Sequence, residues 1–165
     1  MVALSASAII VVVLAGSCTG STTRGASGSP ETSTQAGSPT TPSARPVTDY
    51  ASFLQGLRAA GFTVREKKPV MNSGLFGVPV RLIAIDGETV STYEYPSEAA
   101  LADVAGGISH DGYSVPTVGG GVAIVEWIAT PHLFSSGRLL VVYVGDDAHI
   151  LDALRLFVGR QFAGG

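Results

Sequence analysis

The chain has a single cysteine, Cys18, in 165 residues, which excludes an intrachain disulfide. Its three histidines, His110, His132 and His149, are scattered, so no Cys/His spacing of the zinc-finger or zinc-ribbon kind exists and any metal would have to rest on carboxylates. Charged residues make up only 14% of the chain and the formal net charge is −3, which leaves no electrostatic footprint for nucleic acid. No charged side chain occurs from Met1 to Ser17, and no aromatic or large aliphatic residue occurs between Cys18 and Val47. Motifs of catalysis are missing as well. Gly119-Gly120-Gly121 lacks the Lys-Ser/Thr that completes a phosphate loop, and Ser135-Ser136 lacks the G-x-S-x-G elbow. No cofactor and no metal are therefore assigned.

What is present at the amino terminus is the apolar run "AIIVVVLAG". At about fifteen residues the uncharged segment is shorter than the ~20 a spanning helix needs. It reads instead as a signal peptide over residues 1–17, an apolar stretch followed by small residues. Nothing basic precedes Arg24, which leaves a start codon upstream of Met1 open. Residues 18–48 are almost entirely Ser, Thr, Gly, Pro and Ala, with nothing to bury against the entropy of ordering, and read as a flexible tether. For about thirty such residues the r.m.s. reach is about 30 Å and the extended limit ~100 Å. The remainder, 49–165, is long enough for one core.

Leu14-Ala15-Gly16-Ser17-Cys18 resembles the lipobox of bacterial lipoproteins, with the departure that Ala15 stands where that pattern prefers Leu and Leu14 sits one place earlier. The resemblance implies cleavage before Cys18 and lipidation of its sulfur. Two acyl chains hold a protein stably, at ~0.8 kcal/mol per buried CH₂. The competing reading is an ordinary signal peptide cut near Gly16 or Gly20, with Cys18 incidental. Further on, "YEYP", "WIATPH", "GRLLVVYVGDD" and "LDALRLFVGRQFAG" resemble a set of bacterial exported proteins and lipoproteins. That likeness implies a location at the outer face of the cytoplasmic membrane, or in the periplasm or at the outer membrane of a cell that has one. It implies no activity.

Within 49–165, Thr48 or Asp49 is placed to cap a helix carrying Phe53, Leu54, Leu57 and Ala60, and Gly61 to end it. A short strand over 62–66 follows, closed by charges and Pro69. Asp86-Gly87 between two β-rich runs predicts a two-residue I′ hairpin. Ser97 caps a helix of about ten residues. Residues 106–121, with their glycines, read as a long mobile loop, "VAIVEWIA" as a strand, "TPHLFSSG" as a connection, and 138–144 as a central strand covered on both faces. Ile150, Leu151, Leu154, Phe157 and Val158 mark a last helix ended by Gly159. This order lacks regular βα alternation. It predicts a single small α+β domain, a mostly antiparallel sheet with helices packed on one face.

Asp146-Asp147, at the end of the central strand, and His132, after Thr130-Pro131, are the candidate catalytic residues: a carboxylate beside an imidazole can act as a general acid–base pair. Against this, either aspartate is placed to cap the following helix, and a histidine in a Pro-containing turn is ordinarily a hydrogen-bonding residue. His110-Asp111-Gly112 reads as a turn, with metal ligation the alternative. Tyr93, Tyr95 and Trp127 are either an aromatic binding surface or half-buried packing. From Asp86 onward ten acidic residues stand against three basic ones, whereas Arg58, Arg65, Lys67, Lys68 and Arg81 cluster earlier. This is either a mixed solvated surface or a basic patch near Lys67 and Lys68 for anionic headgroups. The expectation is a non-catalytic extracytoplasmic lipoprotein, held to the membrane through its lipid and interacting with an envelope protein or cell-wall component. The alternative is a small hydrolase or metal-dependent enzyme using His132 with Asp146 or Asp147.

Overall fold

Asp49 opens the first helix with a reciprocal cap: its carboxylate accepts from the Ser52 amide at 2.8 Å, while the Ser52 hydroxyl accepts from the Asp49 amide at 3.1 Å. Two orphan donors at the start of helix α1 (Tyr50–Ala59) are thereby satisfied. The helix closes on Gly61, at φ +92°, with Phe62 N donating to Leu57 O and Gly61 N to Arg58 O, the paired bonds of a Schellman turn. The computed structural model describes residues 47–68 and 75–165. The proposed signal peptide, Cys18, the tether up to Pro46 and the strand-ending Pro69 lie outside the described residues.

Among the described residues eight strands and two further helices follow. They are β1 (Val64–Glu66), β2 (Val80–Ile85), β3 (Glu88–Glu94), α2 (Glu98–Gly106), β4 (Ser114–Pro116), β5 (Val122–Ile124), β6 (Pro131–Ser136), β7 (Leu139–Val144), α3 (Ala148–Phe157) and β8 (Gln161–Gly164). Six of the strands form one sheet in the order β1-β2-β3-β7-β6-β8, every neighbour antiparallel, and β4 pairs with β5 separately. The protein is an α+β domain. The hairpin at Asp86-Gly87 forms as its sequence requires: Asp86 takes φ +49° and Gly87 φ +104°, both in the left-handed region of a I′ turn.

Alternation along the strands divides the core into two. On one face Ile83, Ile85, Val90, Phe134, Leu139, Val141 and Tyr143 pack against Phe53, Leu54 and Leu57 of α1 and Ile150, Leu151 and Leu154 of α3. On the other, Tyr93, Leu133, Leu140, Val142 and Ala163 pack against Leu101 of α2, Val115 of β4 and Phe76. β7 is buried from Leu139 to Tyr143, as a strand covered on both faces must be. The expectation of helices on one face holds for α1 and α3 alone. α2, which buries only Leu101, covers the opposite face together with the β4–β5 hairpin.

Three local readings are corrected. "TPHLFSSG" is β6, an interior strand that tolerates Pro131 because the proline stands first in it. Residues 106–121 are not a featureless loop: Val115 of β4 is fully buried, and Thr117 N bonds Gly121 O at 2.8 Å across the turn to β5. The run "VAIVEWIA" pairs over only three residues, yet the alternation continues. Val122, Ile124, Glu126 and Ile128 are exposed while Ala123, Val125 and Trp127 turn inward.

Candidate functional site

The sheet brings His132 and Asp146 together. His132, on β6, shares the α1/α3 face with Phe134 and stacks on Tyr143, its registered partner on β7, with ring centroids 6.3 Å apart. Asp146 follows the end of β7. His132 Nε2 stands 4.0 Å from Asp146 Oδ1, beyond hydrogen-bond reach. The orientation of the imidazole is fixed from behind. Gln161 Nε2 donates to Gly164 O at 2.6 Å, which turns Gln161 Oε1 toward His132 Nδ1 at 2.9 Å. Nδ1 is therefore the nitrogen that donates, to Gln161, and Nε2 is the one turned toward Asp146.

Nε2 is sealed. His132 is 6% exposed, and its Nε2 is a buried polar atom with no hydrogen-bond partner among the described residues. Asp146, by contrast, is 74% exposed. Asp147 is committed elsewhere: as N-cap of α3 its Oδ1 accepts from His149 N at 2.9 Å and Ile150 N at 3.1 Å. The arrangement has the donor set of a general base and lacks the access that a base needs.

The other candidates resolve as structure. Asp111 accepts from Tyr113 N at 3.0 Å and from the Ser109 hydroxyl, bonds that hold its carboxyl below the usual range and make His110-Asp111-Gly112 a turn. No group of three or more His, Cys, Asp or Glu side chains able to hold a metal occurs among the described residues. Tyr93 and Tyr95 are core residues: Tyr95 is buried with its hydroxyl donating to Phe76 O at 2.9 Å, and burial pushes that phenol up to about 12. Trp127 is half-buried, donating to Gly112 O at 3.0 Å. Ser136 donates to Val47 O at 2.6 Å and so ties the start of the domain to the β6–β7 turn.

Charge is sorted by face. On the α1 side, Glu66 pairs with Arg58 at 3.5 Å and accepts from the Tyr50 hydroxyl at 3.1 Å. Arg81 lies over the Tyr50 ring at 4.6 Å and bonds Glu94 at 3.2 Å, and Arg138 reaches Glu94 at 2.9 Å. This side is neutralised pair by pair. The opposite face carries cations without that compensation. Arg65, registered with Ala84, and Lys67 line an open groove with Thr63, Glu66, Asp86 and Gly87, over the part of the sheet that neither α2 nor the β4–β5 hairpin covers. Lys67 donates to Thr89, and neither cation has an ion-pair partner among the described residues.

On that same face the β4–β5 hairpin turns aliphatic side chains outward. Val118 is 83% exposed, Ile124 72% and Ile128 99%. The sequence pattern of alternation contains this row, but alternation alone does not say which half of it meets the core. Among the described residues no helix is long and apolar enough to cross a membrane. No family model matches the chain, and comparison with curated proteins and with solved structures gives no match.

Proposed function

We propose that this chain is a lipid-anchored extracytoplasmic binding module, tethered through Cys18 and without a reaction of its own. The observation that carries the reading is the placement of the only cysteine where an uncharged apolar run gives way to a Ser/Thr/Gly/Pro stretch. At the domain's side of that stretch Val47 is buried and its carbonyl accepts from the Ser136 hydroxyl, so the chain joins the folded body there. Its partner is an envelope protein, a wall component or the membrane itself. Metabolic labelling with an alkyne fatty acid tests the anchor. Label is expected on the native chain and absent from Cys18→Ser, which leaves the membrane fraction with its fold intact. A free Cys18 thiol in mature protein, or residues 1–17 still attached, overturns it.

The second reading, a small hydrolase or metal-dependent enzyme, is favoured by the 4.0 Å approach of His132 to Asp146. The sealed Nε2 and the capping role of Asp147 weigh against it. A substrate has to reach that nitrogen before it can lose a proton to it.

A further inference from the structure

We propose that the face formed by the β4–β5 hairpin and the uncovered β1–β2 edge docks flat on an anionic lipid bilayer. Two independent features point outward on this face. Val122, Ile124 and Ile128 make an aliphatic row by alternation, with Val118 next to it in the turn, each at least 66% exposed, on a hairpin whose inward residues Val115 and Ala123 pack on the core. Solitary exposed aliphatics need no explanation, but a row aligned by strand alternation does. On the same side of the sheet, at its β1–β2 edge, Arg65 and Lys67 present positive charge. Aliphatic residues that enter the acyl boundary next to cations that meet phosphates are the two components of an interfacial membrane site.

Charge selects the occupant. The row carries one charge, Glu126, and its neighbours Tyr113 and Val118 carry none, so a strongly acidic or basic protein surface finds no counterpart there. On the bare sheet beyond, Glu66 and Asp86 are held by Arg58 and His149, which leaves Arg65 and Lys67 without an ion-pair partner among the described residues and suited to an anionic headgroup layer.

Chain length permits the docking. A body of about 120 residues has a radius of gyration of about 14 Å. The roughly thirty residues between Cys18 and Val47 extend to ~100 Å, enough to pass around it from the start of the domain. The inference rests on the anchored reading only for what brings the bilayer near; the chemistry of the face is independent of it. Docking then fixes which side the domain offers to its surroundings: α1 and α3, with their neutralised ion pairs, face away from the membrane.

Trp127 is the only tryptophan in the chain and serves as the probe. The full chain, native and Cys18→Ser, is mixed with phosphatidylcholine vesicles with and without a quarter phosphatidylglycerol, the acyl chains brominated to quench indole emission. Quenching of Trp127 is expected with the anionic vesicles for both chains, at higher lipid for Cys18→Ser. Ile128→Asp changes a side chain that touches nothing, so its fold is safe; it should weaken the apparent lipid affinity about tenfold. Arg65→Glu and Lys67→Glu should each weaken it about fivefold or more, and Glu126→Gln should strengthen it.

Native chain that floats with the vesicles while Trp127 stays unquenched overturns the docking and leaves the anchor standing. Quenching of Cys18→Ser together with absent fatty-acid labelling of the native chain overturns the anchor and leaves the docking standing. A change in Trp127 that follows protein concentration and ignores lipid assigns the row to a second copy of the chain and overturns the proposal.

Discussion

Replacing His132 by leucine should leave the domain as stable as before or raise its stability, contrary to the usual cost of about 1 kcal/mol for a substitution in a core. The structure supplies three terms. The bond from Nδ1 to Gln161 is lost, worth about 1 kcal/mol net, and Gln161 is itself only half-buried, so water can replace the imidazole there. Removing the unpartnered Nε2 relieves a desolvation penalty of about 1–3 kcal/mol. Leucine then adds apolar contact to Tyr143 and Phe134 in place of a polar ring. The sum runs from about zero to about 2 kcal/mol of stabilisation, or a rise in Tm of up to about 8 °C at about 4 °C per kcal/mol. Urea denaturation and calorimetry of the native chain, His132→Leu, Asp146→Asn and the double variant measure it. A loss of 2 kcal/mol or more in His132→Leu, with a coupling above about 0.5 kcal/mol to Asp146→Asn, would mean that Nε2 and Asp146 close into a pair. That result would refute the sealed-nitrogen argument and return the enzyme reading to strength. A chemical arm is independent: carbethoxylation should modify His149, 65% exposed, at least tenfold faster than His132, and equal rates would sink the same argument.

Gly164 takes φ +82°, and a Cβ there would lie 1.9 Å from Pro131 O, so Gly164→Ala must part β8 from β6 at a cost of about 3 kcal/mol or more. Gly159 takes φ +105° with nothing within 4 Å, so Gly159→Ala should cost only ~1–2 kcal/mol; thermal melts that rank the two equally would contradict the contact. Tyr95→Phe should cost about 1–2 kcal/mol in urea unfolding, because the buried Phe76 carbonyl loses its donor at 2.9 Å. Acid should destabilise the domain in a defined window. Hydrogen bonds to Ser52 and Thr63 hold the Asp49 and Asp86 carboxyls below their ordinary value of 3.8, and Asp111 is lowered in the same way by Ser109. A carboxyl depressed by folding contributes stability that is present above its unfolded pKa and is lost as pH falls through the folded one. Tm should therefore be flat with respect to these groups above about pH 5 and fall below about pH 4. The combined Asn variants at 49, 86 and 111 should flatten that acid limb, and an unchanged limb would place the acid sensitivity elsewhere.

Elements whose signals are local were legible in the sequence. Asp49 with Gly61, Ser97, Asp86-Gly87 and the 150–158 stripe each carry a cap, a turn or a periodicity inside one short window, and the structure uses them as written. The misread segments depend on partners far along the chain. β6 looks like a connection because Pro131 and Ser135-Ser136 are poor strand formers. It is a strand because β7, a continuous apolar run, needs neighbours on both sides, and the short turn at Gly137-Arg138 leaves β6 as the next one. β8 is four residues ending in glycine, and only the open edge of β6 makes it a strand. The side of the sheet on which α2 lies was illegible for a similar reason, since a helix that buries one leucine fits either face.

The site divides along the same line. Proximity of His132 to Asp146 follows from strand order: β6 and β7 are an antiparallel pair, so the first residues of one meet the last of the other, and Pro131 registers with Val144. Burial of Nε2 does not follow from order, because it depends on Tyr143, on α3 and on Gln161 from a strand that the sequence does not announce. Strand ends juxtapose polar side chains in any antiparallel sheet, whether or not chemistry is done there. What separates a catalytic pair from a packed one is a path for the substrate, and the path closes here at the imidazole. The outward row at Val122, Ile124 and Ile128, by contrast, is exposed as it stands, so the docking proposed for it can be tested without any opening of the domain.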